Sequence, residues 1–296
     1  MLTVTFFVQI FRLFTPYFLG ASAAVFSERG GVINIAIEGF IISSAFTFSL
    51  FSILYNSIFA GFVAAVFINL LLSILFSVFT VKLKINQIVT GVGFNLLIAG
   101  LAKFLLILIF HSSSNTPRFE NFPSFPLFKN IPGVGELLSD YIILFSFALV
   151  FLSQYVLFRT TFGLRLRSAG ENPEAAESLG VKVRNYKFYG VLISGFLTSL
   201  AGIWLASNQN GFSDGMVAGR GYIALAAMII GKWKPYNIFF ACLMFAFFEA
   251  FEITIQISGF GIPSQLIQML PYLITILVLV GFIGKTKPPA SDGIPY

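Results

Sequence analysis

Apolar stretches of about 20 residues recur from one end of the chain to the other, and they restrict the possible folds more than any other feature. Inside a bilayer, backbone polar groups must be satisfied within the segment itself, which favours helices of this length. Only 10% of the 296 residues are charged and 57% are hydrophobic, whereas a soluble domain carries roughly 25% charged residues. The sequence therefore predicts an all-α polytopic membrane protein, with one transmembrane domain over residues 1–296.

Most of the apolar stretches are long enough for a regular span. They lie near 39–56, 57–81, 86–110, 140–158, 187–207, 236–257 and 265–283. Two further stretches, 3–27 and 215–231, are interrupted by Arg12 and Pro16 in the first and by glycines and Arg220 in the second. Each is compatible with a full span, a broken helix or a re-entrant segment. We therefore expect about 8–10 transmembrane or broken helices.

The basic residues predict the orientation, because Lys and Arg accumulate in cytoplasmic loops. With the polar loop 159–187 in the cytoplasm, 12 of the 18 Lys and Arg residues fall on that side, and loop 111–139 lies outside with only two. The net charge of +6 thus reflects membrane topology, and no nucleic-acid partner is expected. A short helix is expected near 135–138, and the polar segment after Gly284 is expected to fray.

Residue types that support catalysis are scarce. The sequence has one histidine, His111, and one cysteine, Cys242, and it lacks a glycine-rich phosphate-binding motif. We therefore predict no metal, no cofactor and no enzymatic activity of the chain itself. Energy for any transport must come from a gradient or from another subunit.

The loop 159–187 contains the pattern of a short, well-delimited helix. Asn172 can accept the unpaired N–H groups of the first turn, and Pro173 suits the first helical position. Glu174 places negative charge at the positive end of the helix dipole, and Gly180 can adopt the left-handed conformation that ends a helix. A helix over 173–179 is too short to be stable alone in water, so it must pack against something.

Three acidic residues spaced by three, Glu171, Glu174 and Glu177, are predicted to lie near one face of this helix. Basic residues on either side hold the loop at the membrane surface. The acidic face is compatible with docking on a cytosolic partner and equally with a solvated connector. The residues by themselves leave both alternatives open.

Three stretches resemble the permeases of ABC importers, in particular the family that serves branched-chain amino acids, ribose-type sugars and nucleosides. The run 170–181 resembles their cytoplasmic coupling segment. The run 27–46 is similar to a Ser-Gly-x-x-Asn-Ile-x-x-Glu-Gly motif through Gly31, Asn34, Glu38 and Gly39, and the run 219–235 looks most like nucleoside-type permeases. The coupling residues that the resemblance implies are Gly170, Glu171, Asn172, Glu174, Ala175, Ala176 and Gly180.

The resemblance implies a translocation subunit in the bacterial cytoplasmic membrane that hydrolyses nothing itself. Two permeases would form the pathway, with a heterodimer favoured over a homodimer. ABC ATPase subunits would bind beneath them, and an extracytoplasmic substrate-binding lipoprotein would deliver the substrate. Nucleosides are the expected substrate, and sugars or branched-chain amino acids are the alternatives.

Polar residues inside the spans are candidates for the substrate pathway, because burying them in a membrane is costly. Glu38 is compatible with a pathway wall and with a buried acid that caps freed backbone N–H groups, and the capping alternative is favoured. Glu249 and Glu252 are compatible with the pathway or with contact to the binding protein. A gradient-driven secondary transporter, in which these acids couple ions, is the competing class. The candidate pathway residues are Asn34, Glu38, Asn95, Glu249 and Glu252.

Overall fold

A computed structural model describes residues 4–119, 135–258 and 287–296, together with isolated positions between 266 and 276. The regular secondary structure of these ranges is helical. In chain order the helices are α1 (Val4–Arg29), α2 (Ile37–Leu54), α3 (Ile58–Ser77, continued by a π-helical turn Val78–Lys82), α4 (Gln87–Phe110), α5 (Gly135–Ser139), α6 (Tyr141–Arg159), α7 (Thr161–Glu171), α8 (Pro173–Ser178), α9 (Val183–Gln209), α10 (Arg220–Ile230) and α11 (Pro235–Ser258).

In the described ranges, seven helices are long and apolar enough to cross a membrane, namely α1, α2, α3 with its π-helical turn, α4, α6, α9 and α11. The prediction of an all-α polytopic membrane protein is therefore confirmed. The short helix expected near 135–138 is observed as α5. The predicted span at 265–283 lies outside the continuously described residues.

The two interrupted stretches adopt different structures. The first forms one continuous helix, α1, with Pro16 inside it. The second contains only the 11-residue helix α10, which extends about 16 Å at the usual helical rise and therefore crosses about half of a bilayer. One of the ambiguous stretches is thus a full span, and the other is a short helix placed between two full spans.

Helices α1 and α9 pack side by side at the centre of the helix assembly, with α2 and α3 against α9 and α11 against α1. Small residues bring the backbones close, as expected for helix contacts in membranes. A Cβ atom on Gly202 of α9 would lie 2.4 Å from the carbonyl oxygen of Ile41 in α2. Aromatic side chains pack around α1, where Phe14 and Phe18 stack with ring centroids 5.2 Å apart.

The predicted cytoplasmic loops come together at one end of the assembly. The Ile33 N–H group donates to Gln87 Oε1 over 2.7 Å, and the Arg29 guanidinium group donates to the carbonyl oxygen of Trp233 over 3.1 Å. At the opposite end, the Thr116 N–H group donates to the carbonyl oxygen of Phe212 over 2.9 Å. Loops from different parts of the chain therefore meet at each of the two ends.

Candidate coupling site and translocation pathway

The polar loop contains two helices, α7 and α8, where the sequence analysis expected one. The expected helix begins at Pro173, and the Asn172 side chain accepts the Ala175 N–H group over 3.0 Å. The helix α7 was missed, although Thr160 is a cap residue that could have indicated it. Its hydroxyl oxygen accepts the Gly163 N–H group over 3.1 Å at the start of α7.

The prediction that Glu171, Glu174 and Glu177 share a face of one helix is wrong. Glu171 is the last residue of α7, and the extended Asn172 separates it from α8. The break has a physical cause, because Pro173 has no N–H group with which to continue the hydrogen bonding of α7. Glu174 and Glu177 remain exposed.

Glu171 points back toward the rest of the protein. Its carboxylate lies 3.7 Å from Arg29 Nη1 and accepts the Ala290 N–H group over 3.3 Å. Glu171 therefore joins α7 to the end of α1 and to the segment 287–296, although its side chain remains exposed.

Gly170 is in close backbone contact with the turn that follows α1. A Cβ atom there would lie 2.4 Å from the carbonyl oxygen of Arg29 and 2.9 Å from the nitrogen of Gly31. Gly31 has φ = +79°, a conformation that glycine adopts without strain. The runs 27–46 and 170–181, both identified in the sequence, are thus in direct backbone contact.

Helix α8 packs through one face and exposes the other. Ala176 is buried in a small cluster with Ala169 of α7 and Val183 of α9, whereas Ala175 is exposed. Directly after the helix, Leu179 is 84% exposed, and Gly180 has φ = +81°. The outward surface is therefore formed by Glu174, Ala175, Glu177 and Leu179, and we call these four residues the α8 surface.

The expectation that the segment after Gly284 frays is wrong for residues 287–296. The Ser291 N–H group donates to the carbonyl oxygen of Gly170 over 2.9 Å, and the Tyr296 hydroxyl group donates to the Glu177 carboxylate. Sequence alone gave no signal for this, because the segment is polar and its binding surface is assembled from α1, α7 and α9.

Glu38, in the first turn of α2, satisfies the amino end of α10. Its Oε1 atom accepts the Gly219 N–H group over 2.9 Å, and its Oε2 atom accepts the Gly221 N–H group over 2.7 Å. The first N–H groups of a helix have no partner within it, and they attract negative charge. The carboxylate has the capping geometry that the sequence analysis favoured, but it caps α10 instead of its own helix.

Glu38 also borders a cavity of about 220 Å³. The cavity lies between α2, α4 and the loop before α10, and Phe212, Asp214 and Met216 contribute to its lining. Asp214 is also part of an ion pair, since Lys103 Nζ lies 2.8 Å from Asp214 Oδ2. Two acidic side chains, Glu38 and Asp214, thus line the same space.

Glu249 is part of a buried polar cluster at the junction of α1, α10 and α11. Arg220 Nη2 donates to Glu249 Oε1 over 2.6 Å, and the Tyr17 hydroxyl group donates to Glu249 Oε2 over 2.5 Å. Glu252 accepts a hydrogen bond from Gln256 Nε2 over 2.9 Å. The sequence analysis did not find the pairing of Arg220 with Glu249, since the two residues are 29 positions apart.

The two asparagine candidates form bridges between elements. The Asn95 side chain accepts the Gly39 N–H group over 2.7 Å and donates to the Ile35 carbonyl oxygen over 2.9 Å. Asn34 is fully buried, and its Nδ2 group donates to Ser194 Oγ over 2.9 Å. These contacts hold the irregular turn before α2 against α4 and α9.

Residues 6–279 match the family described as the branched-chain amino acid transport system permease component. The chain belongs to this family. It is 38% identical to the nucleoside ABC transporter permease NupC of Lactococcus lactis, across 95% of this chain and 93% of that protein. It is 35% identical to the guanosine ABC transporter permease NupQ of Bacillus subtilis, across 95% and 92% respectively. No solved structure matches.

A third relative, the nucleoside ABC transporter permease NupB of Lactococcus lactis, is 25% identical over 46% of this chain and 37% of its own length. The protein is therefore a multi-pass permease subunit of the ABC class. As a transport subunit it is not itself an enzyme, and ATP hydrolysis belongs to a separate subunit.

Proposed function

We propose that this permease forms part of the translocation pathway of an ATP-driven importer for nucleosides, and that α8 receives the force from the ATPase. The observation that carries the proposal is the α8 surface, which is exposed on one side while the helix is held to α7 and α9 on the other. The nucleoside substrate is supported by the relatives NupC and NupQ, which match across nearly the whole chain.

The packing of the coupling helices explains how force would reach the spans. Helix α7 touches the turn after α1 through Gly170, and α8 lies between α7 and the start of α9. Since both helices are fixed at these points, a displacement of α8 cannot be absorbed by slack in the loop. ATP-driven closure of the ATPase would therefore move α1 and α9 and shift the permease between inward-open and outward-open states.

The importer would work in the bacterial cytoplasmic membrane, surrounded by lipid. Its partners would be an ABC ATPase, an extracytoplasmic binding lipoprotein and a second permease. The similarity to NupB supports a related second permease and hence a heterodimer. Residues 1–296 would act as one permease domain, with 159–187 in the cytoplasm and 111–139 outside.

The cavity beside Glu38 is the proposed part of the pathway within this chain. Asp214 in its lining offers acceptors, and Lys103, which is paired with Asp214, offers donors next to it. Ribose hydroxyl groups and base edges need both. Glu38 contributes a wall of the cavity while it holds α10 in place. Asn34 and Asn95 support this wall from behind, and Glu249 and Glu252 belong to the neighbouring junction of helices.

The proposal is tested by charge reversal on the α8 surface. In proteoliposomes that contain the complete importer, Glu174→Lys should lower ATP-dependent guanosine uptake by about tenfold or more, because a reversed interface charge costs several kcal/mol. Recovery of the ATPase with the affinity-purified permease should fall in parallel. Membrane insertion should stay normal.

Lys287→Gln is the matched control, since Lys287 is exposed at the same end of the protein and its replacement should leave uptake unchanged. Glu174→Gln, which removes the charge without reversing it, should have an intermediate effect. Wild-type uptake by Glu174→Lys would contradict the role of α8. Uptake that persists without ATP and collapses with a protonophore would instead indicate a gradient-driven transporter.

A further inference from the structure

The segment 287–296 contacts both coupling helices, α7 and α8. The Ser291 N–H group donates to Gly170 in α7 over 2.9 Å, and the Ser291 hydroxyl group donates to the carbonyl oxygen of Glu171 over 3.3 Å. Further along, the Tyr296 hydroxyl group donates to Glu177 of α8, and the Tyr296 side chain packs against the hydrophobic cluster between α7, α8 and α9.

A buried lysine attaches the same segment to the membrane-spanning helices. Lys187, in the first turns of α9, is 2% exposed. Its Nζ group donates to the carbonyl oxygen of Gly31 over 3.4 Å and to that of Ile294 over 3.5 Å. One ammonium group therefore joins α9, the turn after α1 and the segment 287–296.

Two acidic groups complete the attachment. Asp292 lies beside Glu28 at the end of α1, and Lys187 provides a positive charge nearby. This positive charge offsets the repulsion between the two carboxyl groups. Glu28 is fixed from the other side by Trp233, whose Nε1 group donates to it over 2.7 Å.

From these contacts we infer that residues 287–296 form a strap that positions α7 and α8 against α1 and α9 and keeps the movement of α8 coupled to the spans. The inference rests on the proposed function of α8 as the force-receiving element. Ser291, Asp292 and Tyr296 act through α7 and α8 and are positioning residues. Without the strap, the coupling helices would keep the contact of Gly170 with Arg29 but would lose the link to α9 and α1 that Lys187 and Asp292 provide.

The first test measures docking of the strap by hydrogen exchange and needs no transport assay. Amide hydrogen exchange of residues 161–182 is followed in the purified full-length permease and in Gly293→Val. Gly293 has φ = +76°, and a Cβ atom there would meet Ile33 Cδ1 at 2.7 Å, so a β-branched residue should prevent docking of the strap. Loss of one or two hydrogen bonds should lower protection of 161–182 by about tenfold.

Lys287→Gln serves as the matched control in the same segment, because Lys287 is exposed, and it should leave protection unchanged. Deletion of 287–296 should reproduce the effect of Gly293→Val. If the protection of 161–182 stays at the wild-type level in both variants, the strap is overturned.

The second test measures coupling in the reconstituted importer as nucleoside imported per ATP hydrolysed. Gly293→Val should lower this ratio several-fold while the ATPase still co-purifies, since Gly293 lies outside the α8 surface. A purely structural role would lower the amount of assembled importer and leave the ratio at the wild-type value, which would contradict the inference. If the wild-type complex imports no nucleoside with ATP, the proposed function fails, and the exchange experiment still decides whether the strap exists.

Discussion

Glu38 illustrates how a single acidic residue is accommodated in an apolar environment. A buried carboxylate is costly unless hydrogen bonds replace its hydration. Two N–H groups from the start of α10 supply these bonds at 2.9 and 2.7 Å, and the helix dipole favours the negative charge. The residue and the short helix therefore stabilise each other, which explains how a helix of only 11 residues keeps its place between two spans.

Replacing Glu38 with Gln should destabilise the protein. An amide offers one oxygen acceptor and places an NH₂ group against an N–H donor, so one hydrogen bond to a charged group is lost. We expect a loss of about 1–2 kcal/mol in the free energy of unfolding, measured as a lower midpoint of thermal unfolding in detergent. Glu252→Gln is the control, because Glu252 is only partly buried and bonds to Gln256 alone among the contacts described. Equal midpoints for the two variants would contradict the capping role.

At the scale of elements, α7 and α8 are short helices that depend on their contacts with longer ones. Gly170 allows α7 to approach the carbonyl oxygen of Arg29, and Ala176 allows α8 to pack against Val183. A six-residue helix such as α8 is not stable in isolation. Its position is therefore set by tertiary contacts, which is the property that a coupling element requires.

Adding one methyl group at Gly170 should separate α7 from α1. In Gly170→Ala the Cβ atom would lie 2.4 Å from a backbone oxygen, and backbone atoms cannot move away as a flexible side chain can. We expect a loss of about 1–3 kcal/mol in stability together with reduced ATP-driven uptake. Gly100→Ala on α4 is the control, since nothing lies within 4 Å of its added Cβ atom, and uptake should stay normal. Normal uptake and stability in both variants would contradict the close contact.

The strap should respond to pH through Asp292. Burial raises the pKa of this carboxyl group from its ordinary value of 3.8 to about 7. The groups that face it are Glu28 of α1 and Lys187 of α9, and Glu171 contacts the same segment at Ala290. Since the docked strap holds a proton that the released strap loses, its docking is strongest below the ordinary pKa and weakens as the pH rises through about 7.

The measurement is the protection factor of residues 161–182 between pH 6 and pH 8, corrected for the intrinsic exchange rate. Protection should fall with rising pH by at most about tenfold per pH unit, the limit for one proton. Asp292→Asn removes the titrating group of the strap and should give a flatter profile than the wild type. A wild-type profile that is also flat would exclude Asp292 as the responsive group.

At the scale of the whole molecule, the run 27–46 connects the two regions that transport would require. Its beginning contacts the coupling helices, through Arg29 and Gly31 against Gly170. Its later part holds α10 and borders the cavity, through Glu38. A movement imposed on α7 is therefore transmitted along a short path to the wall of the proposed pathway.

The sequence by itself determined the class of the protein. The recurring apolar stretches predict the membrane helices, the basic residues predict how the loops are sorted, and the cap at Asn172 predicts the start of α8, because each of these signals is local. The helix α7 was missed for a different reason. The helix lies within a segment that is polar on average, and Thr160 is the local signal for its start.

Only the tertiary structure decided which polar groups meet. Arg220 pairs with Glu249, Glu38 caps α10, and Ser291 bonds to Gly170 across long separations in the chain. Local propensity carries no information about such partners, because each contact depends on how several helices pack together. Membrane insertion follows from the composition of each segment, whereas the candidate coupling site and the proposed pathway wall arise from backbone approaches that glycines permit and that buried charges then fix in place.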